Sequence, residues 1–221
     1  AANIDTLFLV VTLNNPTTST NFIDRFLISS NVHSIDTIIL FNKMDIYNQQ
    51  ELLEIDKLID IYTKIGYECI KVSATTNLNI DKIISLIKNK TIMLGGHSGT
   101  GKSSLINCIK PELNLKTAEI SNQYLQGKHT TTHAQMFDLN YEAKIIDTPG
   151  IKGFGIIGLE KNQIADFFPE FYKNRNKCKF NNCLHLDEPN CIIKELVNTN
   201  KIASSRYENY KQIIMSEDLK Y

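Results

Sequence analysis

Gly96-His97-Ser98-Gly99-Thr100-Gly101-Lys102-Ser103 has the residue types and spacing of a loop that wraps a phosphate. Its three glycines let consecutive backbone N–H groups turn inward around an anion with no Cβ in the way. An apolar run, Thr91-Ile92-Met93-Leu94, precedes it, and a helix-like stretch over 103–109 follows. This is the strand–loop–helix setting in which such a loop works, with the positive end of the helix aimed at the ligand. Lys102 is placed to span the β- and γ-phosphates of a nucleotide, and the Ser103 hydroxyl to ligate Mg²⁺; Ser104 closes the same turn.

A second motif reads the base. Asn42-Lys43-Met44-Asp45 follows the apolar run Thr37-Ile38-Ile39-Leu40-Phe41, so a strand would deliver it to the carboxyl edge of a sheet. The Asp45 carboxylate can accept from both N1–H and the 2-amino group of guanine, and adenine offers no such pair. Ser73-Ala74-Thr75, after Cys69-Ile70-Lys71-Val72, stands where a loop touching guanine O6 belongs. Asp147-Thr148-Pro149-Gly150 ends another apolar run, Ala143-Lys144-Ile145-Ile146. Asp147 can hold a Mg²⁺-bound water there, and the Gly150 amide can meet the γ-phosphate. Between the phosphate loop and Asp147 lies Gly127-Lys128-His129-Thr130-Thr131-Thr132. A threonine of this run, Thr131 or Thr132, supplies the second hydroxyl to Mg²⁺. In an ordinary small GTPase the base-reading tetrad comes after the phosphate loop; here it comes before. The five elements describe a GTP site on a circularly permuted chain.

The elements that must position these loops alternate. Strands are expected over 6–13, 37–41, 68–72 and 91–94, with helices over 21–30, 49–65, 80–88 and 103–109 between and after them. On the 49–65 helix, Leu52, Leu53, Ile55, Leu58, Ile59 and Tyr62 share one face, and Gly66 ends it. Met136 to Leu139 and Lys144 to Ile146 read as a hairpin around Asn140-Tyr141. The pattern is that of an α/β fold: a circularly permuted P-loop GTPase with a doubly wound, mainly parallel sheet. From about Glu160 the chain turns helical and aromatic. The expected domains are 1–159 for the nucleotide and 160–221 for a small helical module.

That module carries Cys178, Cys183, His185 and Cys191 within 14 residues. Three thiolates and an imidazole make a closed tetrahedral zinc site, which is structural because no position is left for a substrate. Disulfides are the competing reading. They are disfavoured because a GTP-using chain without a signal peptide belongs in the reducing cytoplasm. Cys69 and Cys108 fall in expected core elements and read as small buried hydrophobes. Lys173, Arg175, Lys177 and Lys179, interleaved with Phe171, Tyr172 and Phe180, offer a contact to RNA phosphates or a solvated face. The 24 basic side chains balance 24 acidic ones, so nucleic acid can be met only by such a local patch. No run is long and apolar enough to span a membrane. The sequence opens at Ala1 and not at Met, which suggests either trimming or a missing upstream segment.

With these motifs in place the chain resembles the circularly permuted GTPases of small ribosomal subunit biogenesis, the RsgA (YjeQ) family. The resemblance rests on the permuted order, on Gly127-Lys128-His129-Thr130-Thr131-Thr132, and on Asp147-Thr148-Pro149-Gly150 with Phe154-Gly155 after it. The cysteine–histidine spacing, Leu113-Asn114-Leu115-Lys116-Thr117 and the closing Arg206-Tyr207-Glu208-Asn209-Tyr210 match as well. It implies a monomeric cytoplasmic enzyme that binds GTP or GDP with Mg²⁺, holds one structural zinc and docks on the small (30S) subunit and its rRNA late in maturation. The subunit would stimulate GTP hydrolysis, and hydrolysis would time release; the alternative is a nucleotide-gated RNA-binding module whose turnover is incidental. The family begins with an RNA-binding OB-fold domain, which this sequence does not show before Ala2-Asn3-Ile4-Asp5. A protein without it should bind the ribosome less tightly. Thr100 replaces the family's usual valine, a near-isosteric change with little expected effect.

Ras-like enzymes orient the attacking water with a Gln after the Asp-x-x-Gly glycine. Ile151 stands there and cannot do so. His129 is the catalytic candidate by position, beside Lys102 and Asp147. Its loop, 113–133, has few apolar anchors and is expected to be mobile until RNA orders it.

Overall fold

The structure, a computed structural model, describes residues 3–115, 135–147 and 159–216. Six strands are present among them: β1 (Thr6–Val11), β2 (Asp36–Phe41), β3 (Glu68–Lys71), β4 (Thr91–Gly95), β5 (Gln135–Asp138) and β6 (Lys144–Asp147). They form one sheet in the order β3-β2-β1-β4-β6-β5. Every pairing is parallel except that of β5 with β6. Parallel pairing puts the ends of β1, β2, β4 and β6 at one edge, which is where the chemical loops leave the sheet.

The strands read as near-continuous apolar runs because both of their faces are buried. Phe8, Val10, Ile38, Leu40, Ile70, Val72, Ile92, Leu94 and Ile145 point into one core. The alternate residues Leu7, Leu9, Val11, Ile39 and Phe41 are buried as well. Into the first core pack Ile80, Ile83 and Ile87 of α3 (Ile80–Ile87) and Leu105, Ile106 and Ile109 of α4 (Lys102–Ile109). Helix α2 (Gln49–Lys64) starts on a capping box: the Asn48 side chain takes the Glu51 N–H while the Glu51 carboxylate takes the Asn48 N–H. Gly66, at φ +104°, then turns the chain out of the helix in a conformation that a side chain would strain. The apolar face of α2 is narrower than its sequence suggests. Ile55 and Tyr62 are buried, whereas Leu53 is 55% exposed. Cys69 and Cys108 are only half-buried, and burial pushes the Cys69 thiol up to about 11.

Packing divides the chain into two units, and not at the single cut after residue 159. The first unit holds the sheet with α2, α3 and α4. The second holds α5 (Lys161–Ile164), α6 (Pro169–Tyr172), α7 (Ile192–Asn198) and α8 (Ser204–Met215), together with α1 (Thr20–Val32) from far upstream. The reason is a buried polar knot. Asp24, on α1, is fully buried and needs a compensating charge. Arg206 supplies it through Nη1, 2.5 Å from Asp24 Oδ1. The same guanidinium donates from Nε to Glu170 Oε1 at 2.8 Å and from Nη2 to Oε2 at 3.2 Å, and lies over the Phe168 ring. Asn209 Nδ2 satisfies the remaining Asp24 oxygen at 2.7 Å. Around this knot pack Ile28, Phe168, Phe171, Tyr210 and Ile213.

Truncating the shared cation leaves two carboxylates facing each other out of water. Arg206→Ala is therefore expected to destabilise the second unit by about 3–5 kcal/mol. The chain has no tryptophan, so urea unfolding followed by tyrosine emission reports it directly. A loss under about 1 kcal/mol would show that water already satisfies these groups.

Candidate functional site

The phosphate loop leaves β4 and turns into α4. Gly96, at φ +140°, sits so close to β1 that an added Cβ would lie 2.3 Å from Val10 O. Gly101, at φ +96°, caps α4, and a Cβ there would lie 2.3 Å from Asn42 Nδ2. These two positions accept glycine only. Among the described residues no side chain caps α4, so its first N–H groups keep their donor capacity for an anion. Lys102, buried at the first turn, donates from Nζ to Gly96 O at 3.0 Å and His97 O at 2.9 Å. Its ammonium is thus held inside the ring of the loop. Thr100 is more than an isostere of valine: its hydroxyl donates to His97 O at 2.9 Å and pins the turn. His97, Ser98 and Gly99 form the half-exposed arch, and Ser103 and Ser104 follow Lys102, half-buried.

The residues expected to read the base are fastened to this loop. Asn42 is buried, and its Nδ2 donates to Thr100 O at 2.8 Å. Its Oδ1 is buried and has no hydrogen-bond partner among the described residues. Lys43 takes a left-handed conformation, φ +67°, and its Nζ donates to Asn15 O at 2.5 Å. Burial lowers the Lys43 ammonium from its ordinary value, opposed by the charge of Asp45. Met44 N donates to Val72 O, which ties the tetrad to the neighbouring strand. Asp45 is exposed and accepts from Ser73 Oγ at 2.5 Å; Ser73 Oγ in turn accepts from Thr76 N at 3.1 Å. Asp45 and Ser73, 28 residues apart, are therefore brought together by the fold. Ala74 follows with its carbonyl taking the Cys108 thiol at 3.1 Å.

Two positioning features have no signature in the sequence. The Tyr47 hydroxyl accepts from Leu13 N at 3.0 Å and Asn14 N at 3.5 Å, and Asn14 Nδ2 donates to Glu51 Oε1 at 2.7 Å. This clamp fixes the turn whose Asn15 carbonyl holds Lys43. Asn107 of α4 grips Leu115 by donating to its carbonyl at 2.9 Å and accepting from its N–H at 2.8 Å. Leu113 and Leu115 also pack on the core, so the start of the 113–133 loop is anchored, contrary to its sparse apolar pattern. The end of β6 pairs Asp147 with Leu94, beside the phosphate loop. The Asp147 side chain, with His129, Thr131, Thr132, Gly150 and Ile151, lies outside the described residues.

The second unit gathers Cys178, Cys183, His185 and Cys191 so that their ligand atoms all lie within 4.8 Å of one another. Donors on a tetrahedral zinc are about 3.7 Å apart, given Zn–S bonds near 2.3 Å. His185 presents Nδ1, 3.6 Å from Cys178 Sγ and 3.3 Å from Cys191 Sγ. Burial pushes the Cys183 thiol up to about 12, with the adjacent Cys191 and Cys178 sulfurs adding to it. Only a cation makes three thiolates comfortable there, and this soft donor set fits zinc. The loop is braced from behind. Glu188 accepts from Leu184 N at 2.6 Å and Leu186 N at 2.8 Å, while Tyr207 and Tyr210 donate to His185 O at 2.7 Å and Leu184 O at 2.6 Å. Arg206, Tyr207, Asn209 and Tyr210 on α8 thus grip both the buried knot and the metal loop.

A glycine loop entering a helix from a parallel strand, with an Asn-Lys-x-Asp motif upstream and hydrogen-bonded to it, defines a circularly permuted P-loop GTPase. The family model of the RsgA GTPase matches residues 1–157. The chain belongs to that family, hydrolases acting on GTP. It is 52% identical over 221 residues to the small ribosomal subunit biogenesis GTPase RsgA of Christiangramia forsetii, covering all of this chain and 70% of that protein. The solved structure of YjeQ from Thermotoga maritima superposes with a TM-score of 0.82 at 37% identity, covering 96% of this chain and 70% of that one. YloQ, described as a circularly permuted GTPase, superposes at 0.78 with 30% identity over 96% of this chain and 67% of its own. No helix among the described residues is long and apolar enough to cross a membrane.

Proposed function

We propose that the chain hydrolyses GTP in the late maturation of the small ribosomal subunit, that the subunit stimulates hydrolysis, and that hydrolysis times release. The observation that carries the reading is the Asn42–Thr100 hydrogen bond, which locks base recognition to phosphate recognition so that one nucleotide meets both. Asp45, oriented by Ser73, takes the guanine edge. Asn42, Lys43, Met44 and Ala74 frame the base, and residues Gly96 to Ser104 hold the phosphates. Mg²⁺ accompanies the nucleotide on Ser103, Asp147 and Thr131 or Thr132, and Gly150 meets the γ-phosphate. Lys102 supplies charge to the transferred group. One structural zinc sits on Cys178, Cys183, His185 and Cys191. The names of the relatives support the ribosomal role and a cytoplasmic location. We assign RNA contact to the exposed lysines of 173–179 and treat the protein as a monomer.

The test is GTP turnover with and without small subunits. Basal turnover should be slow, since Ile151 cannot orient water, and subunits should raise it by orders of magnitude, as activators of other GTPases do, roughly 10³–10⁵-fold. His129→Ala should abolish the stimulation and leave GDP affinity nearly unchanged, because guanine and β-phosphate are held elsewhere. A mutant stimulated as well as the parent would place the catalytic group on the ribosome. Turnover indifferent to subunits would leave a nucleotide-gated RNA-binding module.

A further inference from the structure

We propose that the second unit carries a pocket for a single unstacked RNA base beside its metal loop. The inference rests on the ribosomal reading above and names the part of the RNA that is taken. A cavity of about 470 Å³ opens within this unit, walled by Asn162, Asn176, Asn181, Asn182, Arg175 and Phe180, and reaching Asp166 and the metal-loop residues Cys183 and His185. Its size falls in the range of ligand pockets, roughly 300–1,000 Å³.

The chemistry of the walls selects the ligand. None of the four asparagine side chains is hydrogen-bonded to another described residue. Each offers one acceptor and two donors, the complement of a base edge. Phe180, 39% exposed, supplies a ring face of the kind on which bases stack. The Lys179 ammonium lies 5.5 Å from that ring. Arg175 is paired with Asp166, and its guanidinium stacks 4.8 Å from the Tyr172 ring. It is thereby fixed before any ligand arrives, which lowers the entropic cost of binding. A phosphate pocket would need uncommitted cations in its walls, and Arg175, the one arginine or lysine among the described lining residues, is paired with Asp166. Neutral amides and an aromatic ring fit a neutral, planar heteroaromatic group instead. Positive charge lies along the same segment: Lys173, Lys177 and Lys179 are exposed, and no acidic residue falls between Phe171 and Cys183. Those lysines can hold the phosphates on either side of a base. A duplex hides its base edges in a deep groove, so the ligand is an unpaired nucleotide.

The test measures binding of the whole, metal-loaded chain to three probes of equal length: a single-stranded RNA, its duplex, and a fully abasic phosphodiester strand. The parent should prefer the single strand over the abasic strand by about tenfold or more. Phe180→Ala should erase that preference while leaving the salt dependence of binding unchanged. Asn181→Leu and Asn176→Leu, similar in volume and without hydrogen-bonding groups, should each reduce it. Asn176 lies outside the metal loop, and zinc content checks that every variant is folded. If the variants keep the parent's preference for bases, or the duplex binds as well as the single strand, the pocket does not take a base. GTP turnover with small subunits, read on the same preparations, separates this outcome from failure of the proposed function. Phe180→Ala that loses base preference but hydrolyses GTP normally supports the pocket.

Discussion

Removing the metal proposed for Cys178, Cys183, His185 and Cys191 is expected to unfold the second unit and leave guanine-nucleotide binding in place. The ligand loop has little core of its own. Cys178, Cys183 and Leu184 are only partly buried against the cluster around Phe171 and Tyr210. Without a cation, three sulfurs and an imidazole nitrogen within 4.8 Å of one another lose the charge that draws them together. Structural zinc contributes roughly 10–16 kcal/mol in small domains at neutral pH, as much as the whole net stability of a typical domain, about 5–15 kcal/mol. Tyr207 and Tyr210 donate to the two carbonyls of that loop, so their emission should change as chelator is added. The phosphate loop and Asp45 are held by β1, β2, β4 and α4, none of which depends on the metal. Elemental analysis should find one zinc per chain, and labelled GDP should stay bound after chelation. Disulfides in place of zinc, or unchanged tyrosine signals in chelator, would overturn the assignment.

The other large effect is a change of base. In Asp45→Asn an amide replaces the carboxylate that we propose takes guanine N1–H and the 2-amino group. Two hydrogen bonds to a charged acceptor, worth roughly 1.5–3 kcal/mol each, are lost, so guanine nucleotides should weaken about 10²–10⁴-fold. Xanthine presents an oxygen where guanine has its amino group, and the new amide can donate to it, so xanthosine diphosphate should gain. Ser73 remains to orient the side chain, since its hydroxyl can donate to the amide oxygen as it does to the carboxylate. Competition of GDP, XDP and ADP against a labelled nucleotide measures the switch. Comparable affinity of the parent chain for ATP and GTP would remove Asp45 from base selection.

The sequence by itself determined the family, the permuted order of its motifs and most of the elements. These are local properties: Gly96 and Gly101 are required by backbone conformations only a few residues long, and strand and helix periods are visible in short windows. The four metal donors were legible because 14 residues contain them all. Tertiary structure alone decided where α1 belongs. Asp24 looks like one polar residue on an amphipathic helix, and nothing near it announces a partner 182 positions away. The Tyr47 clamp on Leu13 and Asn14, and the brace of Glu188, Tyr207 and Tyr210 behind the metal loop, escaped for the same reason. Each satisfies a backbone group through a single side chain, and one hydrogen bond leaves no period, spacing or composition in a sequence. Leu53 was misplaced by the converse: its type fits the apolar face of α2, and only its angle around the helix left it in solvent.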